Sequence, residues 1–319
     1  MNPPPVTAGG VDLGAAPCLL FAYHEIGYVC MRELLAMGAP IVALYTHPDR
    51  PDEEVWWSSC ADLAARHRIP VFFDEHWGAA ELERLRSLRP AIIYSFYYRN
   101  LLPEEVLRLA PRGAYNLHGS LLPRYRGRAP VNWMIINGET EGGVTLHHMV
   151  ARADAGDIVG QRAVPITESD TALSLYRKLL PEAAALIRDL HPLIVAGRAP
   201  RFPQDLAAGS YFGRRTPADG RIDWNWPARR IYNLVRALTH PYPGAFAMLD
   251  GRRLLVWSAR LGRDAAPGAA PGAILDASPE GLEVATGAGT LLLEDVQLDG
   301  EPAAPAPTLL AKYPGARLD

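Results

Sequence analysis

The order of apolar runs and periodic segments predicts an α/β chain: a Rossmann-like, mainly parallel sheet, then a small antiparallel barrel. Three observations carry this. Continuous apolar runs at 18–24 (CLLFAYH), 41–46 (IVALYT) and 91–97 (AIIYSFY) read as strands buried on both faces, as parallel strands are. Segments of helical spacing lie between them, and a strand–helix–strand order implies parallel pairing through right-handed crossovers. Beyond residue 240 the apolar runs become short and are divided by glycine turns, the pattern of antiparallel strands. A length of 319 residues favours two domains. The boundaries read here are a disordered lead-in over 1–17, an α/β domain over 18–205, and a linker with the barrel over 206–319.

In order along the chain, strand 18–24 leads to a helix over 27–37, ended by Gly38, and to strand 41–46. No G-x-G-x-x-G follows the first strand, so a dinucleotide fingerprint is absent. The polar loop 46–54 precedes an amphipathic helix over 55–67, a short strand over 70–74 and a helix over 80–88 stopped before Pro90. Strand 91–97 runs into Tyr98-Arg99-Asn100-Leu101-Leu102. The spacing predicts a helix at 103–109, a strand at 115–118, a helix at 130–137 and strands at 144–150 and 158–166. His147 and His148 face opposite sides of their strand and are read as core or surface, not chemistry. Asp170 or Thr171 is expected to cap a helix from 172, broken into segments at Pro181 and Pro192. A linker at 206–220 leads to a helix over 227–238, with Arg229, Arg230 and Arg236 on its polar side. Strands are expected at 245–249 and 254–259, joined by an Asp250-Gly251 hairpin turn, and at 274–275, 282–285 and 291–298. The run 301–319 carries few structural signals.

Composition narrows the function. Hydrophobic residues are 49% of the chain and the net charge is −3, which leaves no electrostatic footprint for nucleic acid. Cys18, Cys30 and Cys60 have no metal or C-x-x-C spacing. With no disulfide framework over most of the chain, a cytoplasmic location is expected. No apolar run reaches the roughly 18 residues of a membrane helix.

Chemistry concentrates in 115–133, YNLHGSLLPRYRGRAPVNW. Asn116 and His118, two apart on a strand, project to the same face. Gly119 follows, with no Cβ to block a ligand. Arg124, Arg126 and Arg128 lie in a proline-bounded loop and suit an anionic ligand, since guanidinium binds phosphate and carboxylate bidentately. In the later R152-A-D-A-G-D157, Asp154 is placed to pair with His118, orient its ring and favour its protonated form. No metal constellation is seen.

N-x-H, then S-L-L-P-x-x-R-G, then D-x-G-D, resembles the 10-formyltetrahydrofolate-dependent formyltransferases. The longer string NLHGSLLPRYRGRAPVNW, with FAYHEIG at 21, SFYYRNLL at 95 and FGRRTP at 212, is most similar to the UDP-4-amino-4-deoxy-L-arabinose branch. The resemblance runs from about 19 to 261. It implies an OB-like C-terminal barrel, 10-formyltetrahydrofolate as formyl donor, and no metal. It implies catalytic roles for Asn116, His118 and Asp154. It also implies folate contacts by Asn100, Leu101, Leu102, Arg128 and the stretch Val150, Ala151, Arg152, Ala153, Asp154. Arg124 and Arg126 are left between a glutamate tail and a diphosphate, and Arg214 and Arg215 between phosphate and solvent.

The expected acceptor is the amine of a nucleotide-linked 4-amino sugar, with UDP-4-amino-4-deoxy-L-arabinose first. That sugar implies lipid A modification and resistance to polymyxin and other cationic peptides. The alternatives are methionyl-tRNA formyltransferase, another amino sugar, and a non-catalytic binding protein. From Leu206 onward twelve Lys/Arg face twelve Asp/Glu, a poor match to the several phosphate contacts a tRNA needs. The arabinose branch is often fused to a decarboxylating dehydrogenase. The sequence has no such domain, so a stand-alone enzyme or an excised piece is expected, and a different amino sugar stays open. The sequence fixes no oligomeric state.

Overall fold

A computed structural model describes residues 12–50, 54–73, 76–264, 268–313 and 317–319. These fall into two compact units. The first comprises 1–127, 141–164 and 177–212; the second comprises 128–140, 165–176 and 213–319. The expected lead-in lies outside the described residues as far as residue 11. Beyond it Leu13–Ala15 forms one 3-10 turn, capped by Asp12.

The chain opens with β1 (Cys18–Ala22), α1 (His24–Ala36), β2 (Ile41–Tyr45), α2 (Cys60–Arg66), β3 (Val71–Phe72) and α3 (Ala79–Ser87). There follow β4 (Ile92–Phe96), α4 (Glu104–Leu107), β5 (Ala114–His118), β6 (Arg126–Gly127), α5 (Pro130–Ile136), β7 (Glu141–His148) and β8 (Ile158–Pro165). Next come α6 (Ala172–Val195), β9 (Tyr211–Phe212) and α7 (Ala228–Leu238). The last elements are β10 (Ala245–Leu249), β11 (Arg252–Leu261), β12 (Ile274–Ser278), β13 (Gly281–Ala285), β14 (Thr290–Leu298), β15 (Ala304–Pro305) and α8 (Ala306–Leu310).

The sheet of the first unit runs β3-β2-β1-β4-β5-β7-β8. The first five strands pair in parallel, and β7 joins β5 antiparallel. Alternation explains why the strands are apolar throughout. Leu19 and Phe21 point with Ala43, Tyr45 and Ile93 into a core closed by Leu85 of α3 and Val106 of α4. On the other face Tyr94 donates to, or accepts from, His191 of α6 across 2.9 Å. Each large side chain so buried contributes about 1.5–3 kcal/mol.

Two expectations in this unit need correction. The helix expected over 55–67 begins only at Cys60. Ser59 caps it by accepting from the Asp62 N–H, while Trp56 and Trp57 turn aside to pack on His24. The helix from Ala172 runs unbroken through Pro181 and Pro192. Each proline forfeits one backbone bond, but the periodic row Leu179, Ala183, Leu186, Ile187, Leu190 and Ile194 is buried and holds the rod together. Thr171 caps it as expected, accepting from Ser174 N–H. Of the strand expected over 70–74, Asp74 lies outside the described residues, as do 51–53 of the polar loop.

The second unit carries a sheet in the order β10-β11-β14-β13-β12, with β15 on β14; these strands pair antiparallel. Asp250 and Gly251, both at positive φ (47° and 77°), turn β10 into β11, as a type I′ turn requires. Ile231, Leu234, Val235 and Leu238 form the buried side of α7. Arg236 is not on the polar side as expected. It is buried, and its guanidinium donates to Asn233 Oδ1, Thr167 O and Asp170 O at 2.9, 3.1 and 2.8 Å. The final run forms β15 and α8 despite its weak signals, with 314–316 outside the described residues. Among the described residues no helix is long and apolar enough to cross a membrane.

Candidate active site

The site is built on β5. Asn116 and His118 leave it on one face, and the antiparallel register sets His147 of β7 directly opposite Asn116. Asp154 lies in the loop from β7 to β8 at φ +51°, a left-handed conformation that a non-glycine residue holds only under constraint. The constraints are visible. Gln204 Nε2 donates to the Asp154 and Gly156 carbonyls at 3.1 and 2.6 Å. Gly156 passes so close to β7 that a Cβ there would lie 1.9 Å from His148 O. That contact explains the glycine of the D-x-G-D stretch.

Four groups converge on the Asp154 carboxylate. His118 Nδ1 is 3.6 Å from Oδ2, and Gly127 N–H donates to Oδ2 at 2.9 Å. His147 Nε2 and Asn116 Nδ2 each lie 3.4 Å from Oδ1. Burial alone raises this carboxyl, but the His118 charge, the His147 hydrogen bond and charge, and the Gly127 N–H outweigh it. They hold the group well below the usual carboxylate range. Asp154 is therefore an anion at any working pH.

Partners define the ring nitrogens. His118 Nε2 meets Tyr125 O at 2.7 Å. A carbonyl only accepts, so Nε2 carries a proton. Its Nδ1 faces a carboxylate, and the ring satisfies both acceptors when it is doubly protonated. His147 Nδ1 donates to His148 O at 2.9 Å. Its Nε2 lies 3.1 Å from the Asn116 amide nitrogen and 3.4 Å from Asp154 Oδ1. The Asn116 amide itself donates to Asp154 Oδ1 at 3.4 Å. The His118 ring is buried, 6% exposed, so Nε2 reaches a ligand only by exchanging the Tyr125 carbonyl.

The segment 125–127, which contains β6, serves this group through its backbone. The Tyr125 carbonyl and the Gly127 N–H bind His118 and Asp154, while the Arg126 N–H donates to Ser210 O at 3.0 Å on the side of β9.

Sequence reasoning foresaw Asn116, His118 and Asp154 together. It missed His147, Gly127, Tyr125 and Gln204. His147 was legible in principle, since it lies across from Asn116 once β5 and β7 are paired; the others act through backbone or lie in segments without a motif. His148 bonds to Pro200 O instead, at 3.1 Å. Of the folate-assigned residues, Leu101 and Val150 are exposed (69% and 47%), and Leu102 is in the core. Asn100 and Ala153 are half-buried, Ala151 and Arg152 exposed. Of the arginines, Arg124 is exposed and Arg126 buried. Arg128, Arg214 and Arg215 belong to the second unit, where Arg215 lies over the Trp133 ring at 4.7 Å and donates to Asp219 O. Among the described residues no cluster of three or more His, Cys, Asp or Glu is arranged to hold a metal.

A formyl transferase family model matches residues 71–190, and a formyl transferase C-terminal domain model matches 214–314. Solved structures share the fold. An N-formyltransferase from Helicobacter canadensis, solved with folinic acid and dTDP-3-aminofucose, is 21% identical at TM-score 0.69, over 87% of this chain and 98% of that one. A sugar N-formyltransferase from Shewanella is 20% identical at TM-score 0.62, over 76% and 96%. A variant of HypX from Aquifex aeolicus is 19% identical at TM-score 0.61, over 93% and 47%, so the chain spans about half of that protein.

Proposed function

The chain belongs to the formyl transferase family, and from that premise we propose that it moves a formyl group from 10-formyltetrahydrofolate to the amine of a nucleotide-linked 4-amino sugar. The observation that carries this is the meeting of Asn116, His118 and Asp154 in one buried polar group.

Formyl transfer forms a bond from the acceptor nitrogen to the formyl carbon and breaks the bond from that carbon to the folate nitrogen. Charge builds on the formyl oxygen, one proton leaves the acceptor, and one reaches the folate nitrogen. The Asn116 amide turns the N–H that donates to Asp154 Oδ1 at rest to the developing oxyanion. Such a donor is worth about 3 kcal/mol in the transition state. His118 moves the protons at Nε2, a general acid–base role worth about 10²–10⁴-fold. Asp154 fixes the ring and stays ionised. The folate supplies the activated formyl carbon. Exposed Leu101 and Val150, in the two stretches assigned to it, offer apolar surface that fits its ring system.

Among acceptors, UDP-4-amino-4-deoxy-L-arabinose is favoured by the NLHGSLLPRYRGRAPVNW string, and with it a role in lipid A modification in the cytoplasm. Even charge after Leu206 counts against initiator tRNA. The test is a panel of UDP- and dTDP-linked amino sugars and charged initiator tRNA, each with 10-formyltetrahydrofolate, read by mass spectrometry. Formylation of the UDP-linked 4-amino sugar in preference to the rest is expected. Formylation of the tRNA alone overturns the reading.

A further inference from the structure

Arg126 is 4% exposed, yet neither its Nε nor its Nη1 has a hydrogen-bond partner. A buried guanidinium without partners is costly, and this chain shows what a structural one looks like. Arg236, buried to a similar degree, has three acceptors. Arg126 has no such partner at Nε or Nη1. It also lies between Tyr125, whose carbonyl meets His118, and Gly127, whose N–H binds Asp154. A buried cation with two unpartnered nitrogens, one residue from these contacts, is suited to an anion.

Resting on the formyltransferase reading, we infer that Arg126 receives the diphosphate of the nucleotide-sugar acceptor. Two anions accompany this reaction, a diphosphate and the glutamate tail of a folate. The diphosphate is favoured on two counts. In an amino sugar a single six-membered ring separates amine from phosphate, which matches a guanidinium rooted one residue, about 3.5 Å of chain, from each catalytic contact. A diphosphate is also flanked on both sides by the rest of its molecule, so it is enclosed when bound and complements a sealed guanidinium bidentately. A terminal glutamate is flexible and free at its end.

The experiment is calorimetric titration of the whole protein with UDP, dTDP and 5-formyltetrahydrofolate, using wild type, Arg126→Gln and Arg126→Lys, with Tm measured free of ligand. Arg126→Gln is expected to weaken both nucleotides roughly 10–100-fold and leave folate binding unchanged. Arg126→Lys recovers part of the loss. The ligand-free Tm of Arg126→Gln stays level or rises, because an unpaired buried charge has gone. A variant that loses folate but keeps UDP, or a fall in ligand-free Tm, overturns the inference. Should Arg126→Gln not fold, wild type decides it: UDP binding no tighter than uridine sinks the diphosphate receptor. Wild type that binds UDP through Arg126 yet formylates no amino sugar upholds the receptor and removes the acceptor reading.

Discussion

Asp154 holds both histidines at once, one on each carboxylate oxygen, and mutants of each separate their roles. With His118 as the acid–base group, His118→Ala lowers kcat about 10²–10⁴-fold. His147→Ala acts through Asn116, so its effect is smaller. Asn116→Ala costs about 3 kcal/mol of transition-state stabilisation, with the circular dichroism of each variant unchanged. Near-normal turnover in Asn116→Ala, His118→Ala and Asp154→Ala alike would remove these assignments. The trio was legible because side-chain chemistry leaves a residue signature: N-x-H on a strand and a carboxylate at a loop tip. Tyr125 and Gly127 contribute a carbonyl and an N–H, which every residue owns, so no sequence pattern announces them. Nothing in the sequence showed that Arg126 is buried with two nitrogens unpartnered.

At the level of elements, strands and caps followed from local rules and long-range packing decided the exceptions. Apolar runs marked β1, β2 and β4, and Asp250-Gly251 marked its hairpin. The unbroken α6 defied two prolines because tertiary burial along one face outweighs two missing backbone bonds. Arg236 defied the helical pattern of α7 because its acceptors, Thr167 O and Asp170 O, lie some seventy residues earlier, beyond any window. Replacing Arg236 by Met strands those carbonyls and is expected to cost about 2–4 kcal/mol in chemical denaturation. A loss near zero would mean that the carbonyls find other partners.

For the whole molecule, histidines held below their ordinary value set part of the response to acid, burial lowering His148 as well. Burial pushes His191 down to about 4, and burial together with the Arg99 charge pushes His24 down to about 3. The folded chain keeps both neutral while the unfolded chain takes up protons below the ordinary histidine value. Stability is thus whole above about pH 6.5 and declines as pH falls, by up to about 1.4 kcal/mol per pH unit for each group, until the folded values are reached. Denaturation midpoints between pH 7 and 4.5 check this, and His191→Leu is expected to flatten the slope. The two-residue β6 has a last consequence. With Tyr125, one of its edges holds His118 and Asp154, and the other pairs with the segment at 210–212. A protease cut or an inserted residue near Ser210 therefore slackens the reaction centre while the parallel sheet stays folded, and catalysis fails long before the protein melts.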